Sequence, residues 1–211
     1  MKIKHLGQSA FIIKSQTTLV TDPFNPMIGR MPADLTAAVV TVSHSHSDHN
    51  YTKGVGGSPQ IINQLGNFSI GGFEISGVKT FHDDVGGKKR GENIVYTIRT
   101  EGITLCHLGD LGHILAADQI KEIGAVDILM IPVGGFFTID ANMAVEIVNQ
   151  LSPKIVMPMH YKLKKSFIPL PIAGVDKFIE ALGWPVKEVL ELEVDKSNLD
   201  SFSHRVVIFK K

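Results

Sequence analysis

The stretch Val42–Asn50, VSHSHSDHN, places His44, His46, Asp48 and His49 within six positions. It holds three of the chain's nine histidines and directly follows the apolar run AAVVTV. That β-branched run reads as a buried strand. The histidines therefore emerge at a sheet end, where ligands commonly bind in α/β folds. Imidazole nitrogen and carboxylate oxygen together suit zinc and related first-row ions. In an extended backbone His44 and His46 point the same way, and a turn after them can aim Asp48 and His49 at an adjacent position. One loop can thus serve two neighbouring metals. The competing reading, surface histidines hydrogen-bonded within a loop, has to meet a chance expectation for HxHxDH on the order of 10⁻³ per chain of this composition. Metal binding is the better reading. The HExxH arrangement of zinc-binding helices is absent.

The rest of the 211-residue chain has the composition of a globular protein, 44% hydrophobic and 20% charged. Lys plus Arg and Asp plus Glu both total 21, so no general attraction for long nucleic acid is expected. The basic clusters Lys88–Lys89–Arg90 and Lys162, Lys164, Lys165 read singly as solvated loops. One cysteine, Cys106, excludes an internal disulfide and a cysteine-based zinc site. No stretch approaches the about 18 apolar residues of a membrane span. MKIKHLGQSAFIIK reads as strand rather than signal peptide, and a cytoplasmic location is the expectation.

The first half reads as strands: AFIIK, TTLVTD, AAVVTVS, QIIN, FSI, FEISGVKTF, NIVYTIRTEG and ITLCHLG. The second half alternates. A helix over AADQIKEIG ends at Gly124, the strand VDILMIPVG follows, and DANMAVEIVNQL is a helix capped by Asp140 with Met143, Ile147 and Leu151 on one face. KIVMPMH is a strand, IAGVDKFIEALG a helix, and VKEVLELEV and RVVIFK are closing strands. Meanders followed by β-α-β units imply α/β layers in one domain over residues 1–211. The longest irregular piece, HDDVGGKKRGE at 82–92, is either functional or an unstructured surface loop.

Four ligands are too few for two metals. His82, Asp110 and His160 follow the buried segments GVKTF, ITLCHLG and KIVMPM. A lone histidine there is ordinarily structural, but three such residues beside HSHSDH read as further ligands. Asp110 suits a bridge, because one carboxylate can offer an oxygen to each metal. Asp22, closing TTLVTD, reads as orienting a ligand histidine through the ring's other nitrogen. Two such metals would hold a bridging hydroxide at neutral pH, with Asp48 orienting it or taking its proton. His107 and His113 flank Asp110 and read as structural supports rather than acids or phosphate contacts. Lys162 would meet an anionic substrate or remain solvated. Cys106 reads as core packing, and Phe136 and Phe137 as core, interface or substrate wall. No GxSxG nucleophile elbow is present.

TDP around Asp22, HSHSDH, His82, HLGD with Asp110, IPVGGFFTID and PMHY with His160 follow one another in the order of the metallo-β-lactamase superfamily. The chain resembles its compact branch of ascorbate-6-phosphate-lactonase-like metal-dependent hydrolases. The resemblance implies an αββα four-layer sandwich. It would place His44, His46 and His82 on one metal and Asp48, His49 and His160 on the other, with Asp110 bridging. It implies two divalent ions, zinc in the first place and manganese or iron in other members. The branch often has histidine where Gln8 stands. The expected activity is hydrolysis of a small ester, lactone or phosphodiester, with Asp48 and Asp110 as catalytic residues. The expected partner is a small molecule, anionic if Lys162 takes part; a homo-oligomer is compatible. A di-iron redox protein would need an electron donor, and the about 50 residues after His160 leave no room for such a domain. A non-catalytic metal-stabilised binding protein would ordinarily lack one of the seven ligands, all of which are present.

Overall fold

The computed structural model describes residues 1–162 and 171–210; Lys164 and Lys165 of the second basic cluster lie outside them. The strands are β1 (Lys2–Gly7), β2 (Ala10–Lys14), β3 (Thr18–Thr21), β4 (Val39–Thr41), β5 (Gln60–Ile62), β6 (Gly66–Ile70), β7 (Phe73–Phe81), β8 (Glu92–Thr100) and β9 (Ile103–His107). Helix α1 (Ala117–Ile123), β10 (Ile128–Pro132), α2 (Ala141–Leu151), β11 (Ile155–Met159), α3 (Asp176–Leu182), β12 (Val186–Val189), β13 (Leu192–Glu193) and β14 (Arg205–Phe209) follow. They form a six-stranded sheet, β13-β1-β2-β3-β4-β5, and an eight-stranded sheet, β12-β14-β11-β10-β9-β8-β7-β6.

Period-two alternation along the strands sets the layers. Ile128 and Met130 of β10 join Leu105 of β9, Met157 of β11 and Phe11, Ile13 and Leu19 of the smaller sheet in the core between the sheets. Their neighbours Leu129, Ile131, Cys106 and Val156 face the other way, against Ile123 of α1, Ile147 and Leu151 of α2 and Phe178 of α3. The smaller sheet also buries both faces. Ile12, Val20 and Val40 pack outward against Leu35 and Val55, in a covering layer of loop with the short 3-10 turn Thr52–Gly54. The α/β sandwich is thus the layering expected from the sequence, with the three α-helices of the described residues packed on the larger sheet.

The helices form where the sequence places them, for local reasons. Asp140 caps α2 by accepting from the N–H groups of Asn142 and Met143, both at 3.0 Å. The buried stripe of α2 is Ala144, Ile147, Val148 and Leu151; Met143, expected on that face, is only half-buried. Helix α3 is shorter than expected, beginning at Asp176. Two expected strands divide. MKIKHLGQSAFIIK turns at Gln8 and Ser9 into the antiparallel pair β1–β2. VKEVLELEV breaks after Val189, so that β12 runs parallel to β14 in the larger sheet while β13 pairs with β1 in the smaller one. Hydrophobic pattern alone cannot show that break, because both halves remain extended.

Strand direction brings the polar strand ends to one edge. β3 is parallel to β4, and β9, β10 and β11 are parallel to one another. β7 runs with β9, since both are antiparallel to β8. The C-terminal ends of β3, β4, β7, β9 and β11 therefore face the same way, and the β1–β2 turn joins them because β2 opposes β3. Backbone bonds between the sheets close that edge: His160 N–H donates to Gln8 O at 3.0 Å, and Ile94 N–H to Ser43 O at 2.9 Å.

The buried Tyr96 of β8 adds a bond across the core, its hydroxyl lying 3.2 Å from Ile62 O and 3.3 Å from Val42 O. Tyr96→Phe should lower the free energy of unfolding by about 1–2 kcal/mol in urea titrations. An unchanged midpoint and slope would show that this hydroxyl does not tie the sheets.

Candidate metal centre

The strand ends converge on one oxygen. Asp110 Oδ2 stands 3.2 Å from His49 Nε2, 3.2 Å from His82 Nε2, 3.3 Å from His160 Nε2 and 3.9 Å from His44 Nε2. Its partner Oδ1 accepts from Ser9 Oγ at 3.4 Å, and the Asp110 N–H donates to Asn93 Oδ1 at 2.9 Å. The seven residues singled out from the sequence fall together. His44, His46 and His82 form one group, and Asp48, His49 and His160 another, each with potential ligand atoms within 4.8 Å of one another. A third group of that kind, Asp22, His44 and His49, overlaps both.

Local backbone explains how each side chain gets there. The segment after β4 is a chain of turns rather than an extended strand, with His49 N–H donating to His46 O at 2.9 Å. His44 Nε2 and His46 Nδ1 come within 3.0 Å through that turn, so the alternation expected of a strand is not what brings them together. Behind them lies Asp22, in left-handed backbone at φ 37°. It accepts from Ser43 N–H at 2.7 Å, Ser43 Oγ at 2.5 Å and His49 Nδ1 at 2.9 Å. An ionised carboxylate only accepts, so Nδ1 carries a proton and Nε2 is the nitrogen turned toward Asp110. Gly109 is required by crowding: in its left-handed conformation, φ 56°, a Cβ would stand 2.6 Å from Ser43 Cβ. A Cβ on Gly134 would collide with the carbonyl of His160.

The glycine-rich loop after His82 is ordered around one side chain. Asp83 accepts the N–H groups of Val85, Gly87, Lys89 and Arg90 at 2.8–2.9 Å. Burial pushes its carboxyl up, but those donors hold it well below the usual carboxylate range. His113 Nε2 accepts the N–H of Phe81, next to His82, and its Nδ1 donates to Ile114 O at 2.8 Å. His107 is fully buried and Nε2 donates to Ser9 O at 2.8 Å. Both rings act on the backbone that carries the cluster, as the sequence suggested.

Electrostatics give the cluster its character. Burial, then the charge of His49, pushes the His44 imidazole down to about 3, so it is neutral at pH 7. His49 is the exception: burial lowers it, yet the charge of Asp110 and the acceptor oxygens of Asp110, Asp22 and Asp48 around the ring raise it well above the ordinary histidine value. Asp110 is the counterpart, raised by burial but held well down by His160 and His49. Even so, His49 Nε2 makes no well-directed hydrogen bond while fully buried. A buried imidazole nitrogen aimed at a carboxylate oxygen, ringed by further imidazole nitrogens, is a donor set that fits divalent cations.

Residues 2–160 match the model of the Beta-lactamase superfamily domain. The chain belongs to that superfamily. A UPF0173 metal-dependent hydrolase of Carboxydothermus hydrogenoformans is 31% identical, over 89% of this chain and 96% of its own length. Another, from Thermococcus onnurineus, is 28% identical over 76% of this chain and 84% of its own. The crystal structure described as a Zn-dependent hydrolase of the metallo-β-lactamase superfamily from Thermotoga maritima shares 37% identity. It superposes with a TM-score of 0.81 over 99% of this chain and 97% of that one.

In this superfamily member several residues around the cluster escaped the sequence reading. Ser9, Ser43, Asn93 and Asp83 all hydrogen-bond to cluster residues or to the backbone beside them, and nothing in their local sequence marks them out; Gln8, noted only as standing where the branch often has histidine, donates to Asp48. Lys162 is exposed, and Phe136 is 63% exposed rather than packed in the core. Because His49 holds a proton in the metal-free protein, adding Zn²⁺ at pH 7 should release about one proton per chain from this residue. A pH indicator in weakly buffered solution reads it directly. The sign also fixes metal-free stability: the raised value stabilises below the ordinary histidine range, and that contribution is lost as pH climbs through the higher folded value. Zinc uptake without proton release would contradict this charge state.

Proposed function

We propose that this chain is a dinuclear metal-dependent hydrolase of small esters, lactones or phosphodiesters, with residues 1–211 acting as one catalytic domain. The observation that carries the reading is the convergence of four imidazole nitrogens on Asp110 Oδ2. His44, His46 and His82 would hold one ion, Asp48, His49 and His160 the other, and Asp110 both; zinc suits this nitrogen-rich set. Divalent ions so held supply a hydroxide nucleophile at neutral pH and a Lewis-acid contact for the scissile carbonyl or phosphoryl group.

The chain's own residues do the rest. Asp22 fixes the tautomer of His49 and so the direction of its lone pair. Asp48 keeps its side chain 27% exposed, while the side chains of His49 and Asp110 beside it are buried. It is the carboxylate that would orient the nucleophile or take its proton. Neither the cysteine nor the two serines hydrogen-bonded beside the cluster competes as nucleophile. The Cys106 thiol is buried in the core and pushed up by that burial, so it stays protonated. The hydroxyls of Ser9 and Ser43 are engaged with Asp110 and Asp22. A small substrate fits a chain whose charges cancel. Among the described residues no helix is long and apolar enough to cross a membrane, in line with a cytoplasmic enzyme.

The protein should bind about two zinc equivalents and cleave either a chromogenic phosphodiester or members of a lactone panel. Chelation should abolish turnover, and Zn²⁺ or Mn²⁺ should restore it. Asp110→Asn should lower kcat/KM by about 10²-fold or more, the scale of several kcal/mol of lost transition-state stabilisation. Undiminished turnover in Asp110→Asn, or in chelated protein, would refute the reading.

A further inference from the structure

The β1–β2 turn touches the shared Asp110 and the ligands of one half of the cluster, but not those peculiar to the other. Gln8 Nε2 donates to Asp48 Oδ2 at 3.0 Å, and Gln8 O accepts the His160 N–H at 3.0 Å. The same carbonyl lies 3.0 Å from His5 Nε2, whose ring stacks on Phe11 with centroids 4.5 Å apart. Since a carbonyl only accepts, His5 donates, and the turn is anchored to the inter-sheet core. Gln8 itself is held in left-handed backbone at φ 49°, a conformation that costs a non-glycine residue about 1–3 kcal/mol. Next to it, Ser9 Oγ reaches Asp110 Oδ1. Neither Gln8 nor Ser9 makes a hydrogen bond to His44, His46 or His82.

Resting on the dinuclear reading above, we propose that Gln8 is a positioning residue for the Asp48–His49–His160 ion alone. Its amide fixes one lone pair of Asp48 Oδ2 while its carbonyl fixes the strand end carrying His160. Asp48 is the one member of that triad whose side chain is partly exposed, 27% against buried imidazoles, and so the one with rotamer freedom to lose. The Asp48 Oδ2 that accepts from Gln8 also lies 3.5 Å from His49 Nε2. A donor at 3.0 Å therefore holds the oxygen beside His49 Nε2, where it would be available to an ion. Second partners of this kind change metal affinity by about 10–100-fold when removed. The ligands peculiar to the other half, His44, His46 and His82, lie beside Ser43 and the Asp83 loop and meet the turn only through the shared Asp110.

Cobalt titration of metal-free protein, followed by the visible d–d bands, tests this without any substrate. Gln8→Met keeps the side chain's length and removes its N–H. It should weaken one of two Co²⁺ equivalents by about 10-fold or more and leave the other within about twofold. In a His46→Ala background, which disables the opposite half, Gln8→Met should weaken the single remaining equivalent by the same factor. Gln8→His should restore affinity, because histidine tolerates left-handed backbone and keeps an N–H donor. Equal weakening of both equivalents would mean that Gln8 serves only the fold, and unchanged affinity would mean that it does nothing for the ions; either overturns the proposal. Wild-type protein taking up fewer than two equivalents would instead overturn the dinuclear reading on which it rests.

Discussion

A carboxylate buried in the seam between two sheets is the interaction on which the rest of the structure depends. Asp110 is 2% exposed. Taking an ionised carboxylate out of water without compensation costs several kcal/mol even after relaxation. Compensation comes from the Ser9 hydroxyl, the His49 proton and the edges of three further imidazoles, contributed by both sheets. Neither sheet alone could assemble that environment. The sandwich and the cluster are therefore one problem: the apolar faces drive the sheets together, and the polar edge sets how they must register.

The cost of that register is concentrated close to the site. Gln8, Asp22 and His160 all lie in left-handed backbone, at φ 49°, 37° and 49°. Such strain persists only where surrounding structure over-determines it, and here each residue is held from two sides. Asp22 is held by Ser43 and His49, and Gln8 by His5 and His160. Gly109 and Gly134 complete the picture, since the close approach of strand ends leaves no room for a side chain. A uniformly packed core from Ile128 to Ile131 and across β9 and β11 supplies the hydrophobic stabilisation that offsets these local penalties.

Charge then separates two kinds of histidine that composition cannot distinguish. His44 is kept neutral by burial and by the charge of His49, and three carboxylates raise His49 well above the ordinary histidine value. His107 and His113 sit a few residues from Asp110 in sequence, yet Nε2 of His107 and both nitrogens of His113 go to backbone carbonyl and amide groups. Their role is to hold β7, β9 and the β1–β2 turn in place. Proximity along the chain, in other words, does not predict which imidazoles share a centre.

His44, His46, Asp48 and His49 were legible because four chemically loud residues are adjacent and follow a strand. His82, Asp110 and His160 were legible because each ends an apolar run, a place that strand periodicity reveals. Alternation likewise determined which residues of β9, β10 and β11 face the core between the sheets and which face the helices. Only tertiary structure decided the division of VKEVLELEV between two sheets and the turn at Gln8, since an extended segment looks the same whichever sheet it joins. It alone decided that Gln8, Ser9, Ser43 and Asp83 attend the cluster. Their contribution is a single hydrogen-bonding group placed by contacts far apart in sequence, and an amide or hydroxyl has no local signature until a partner is brought to within 3 Å or so.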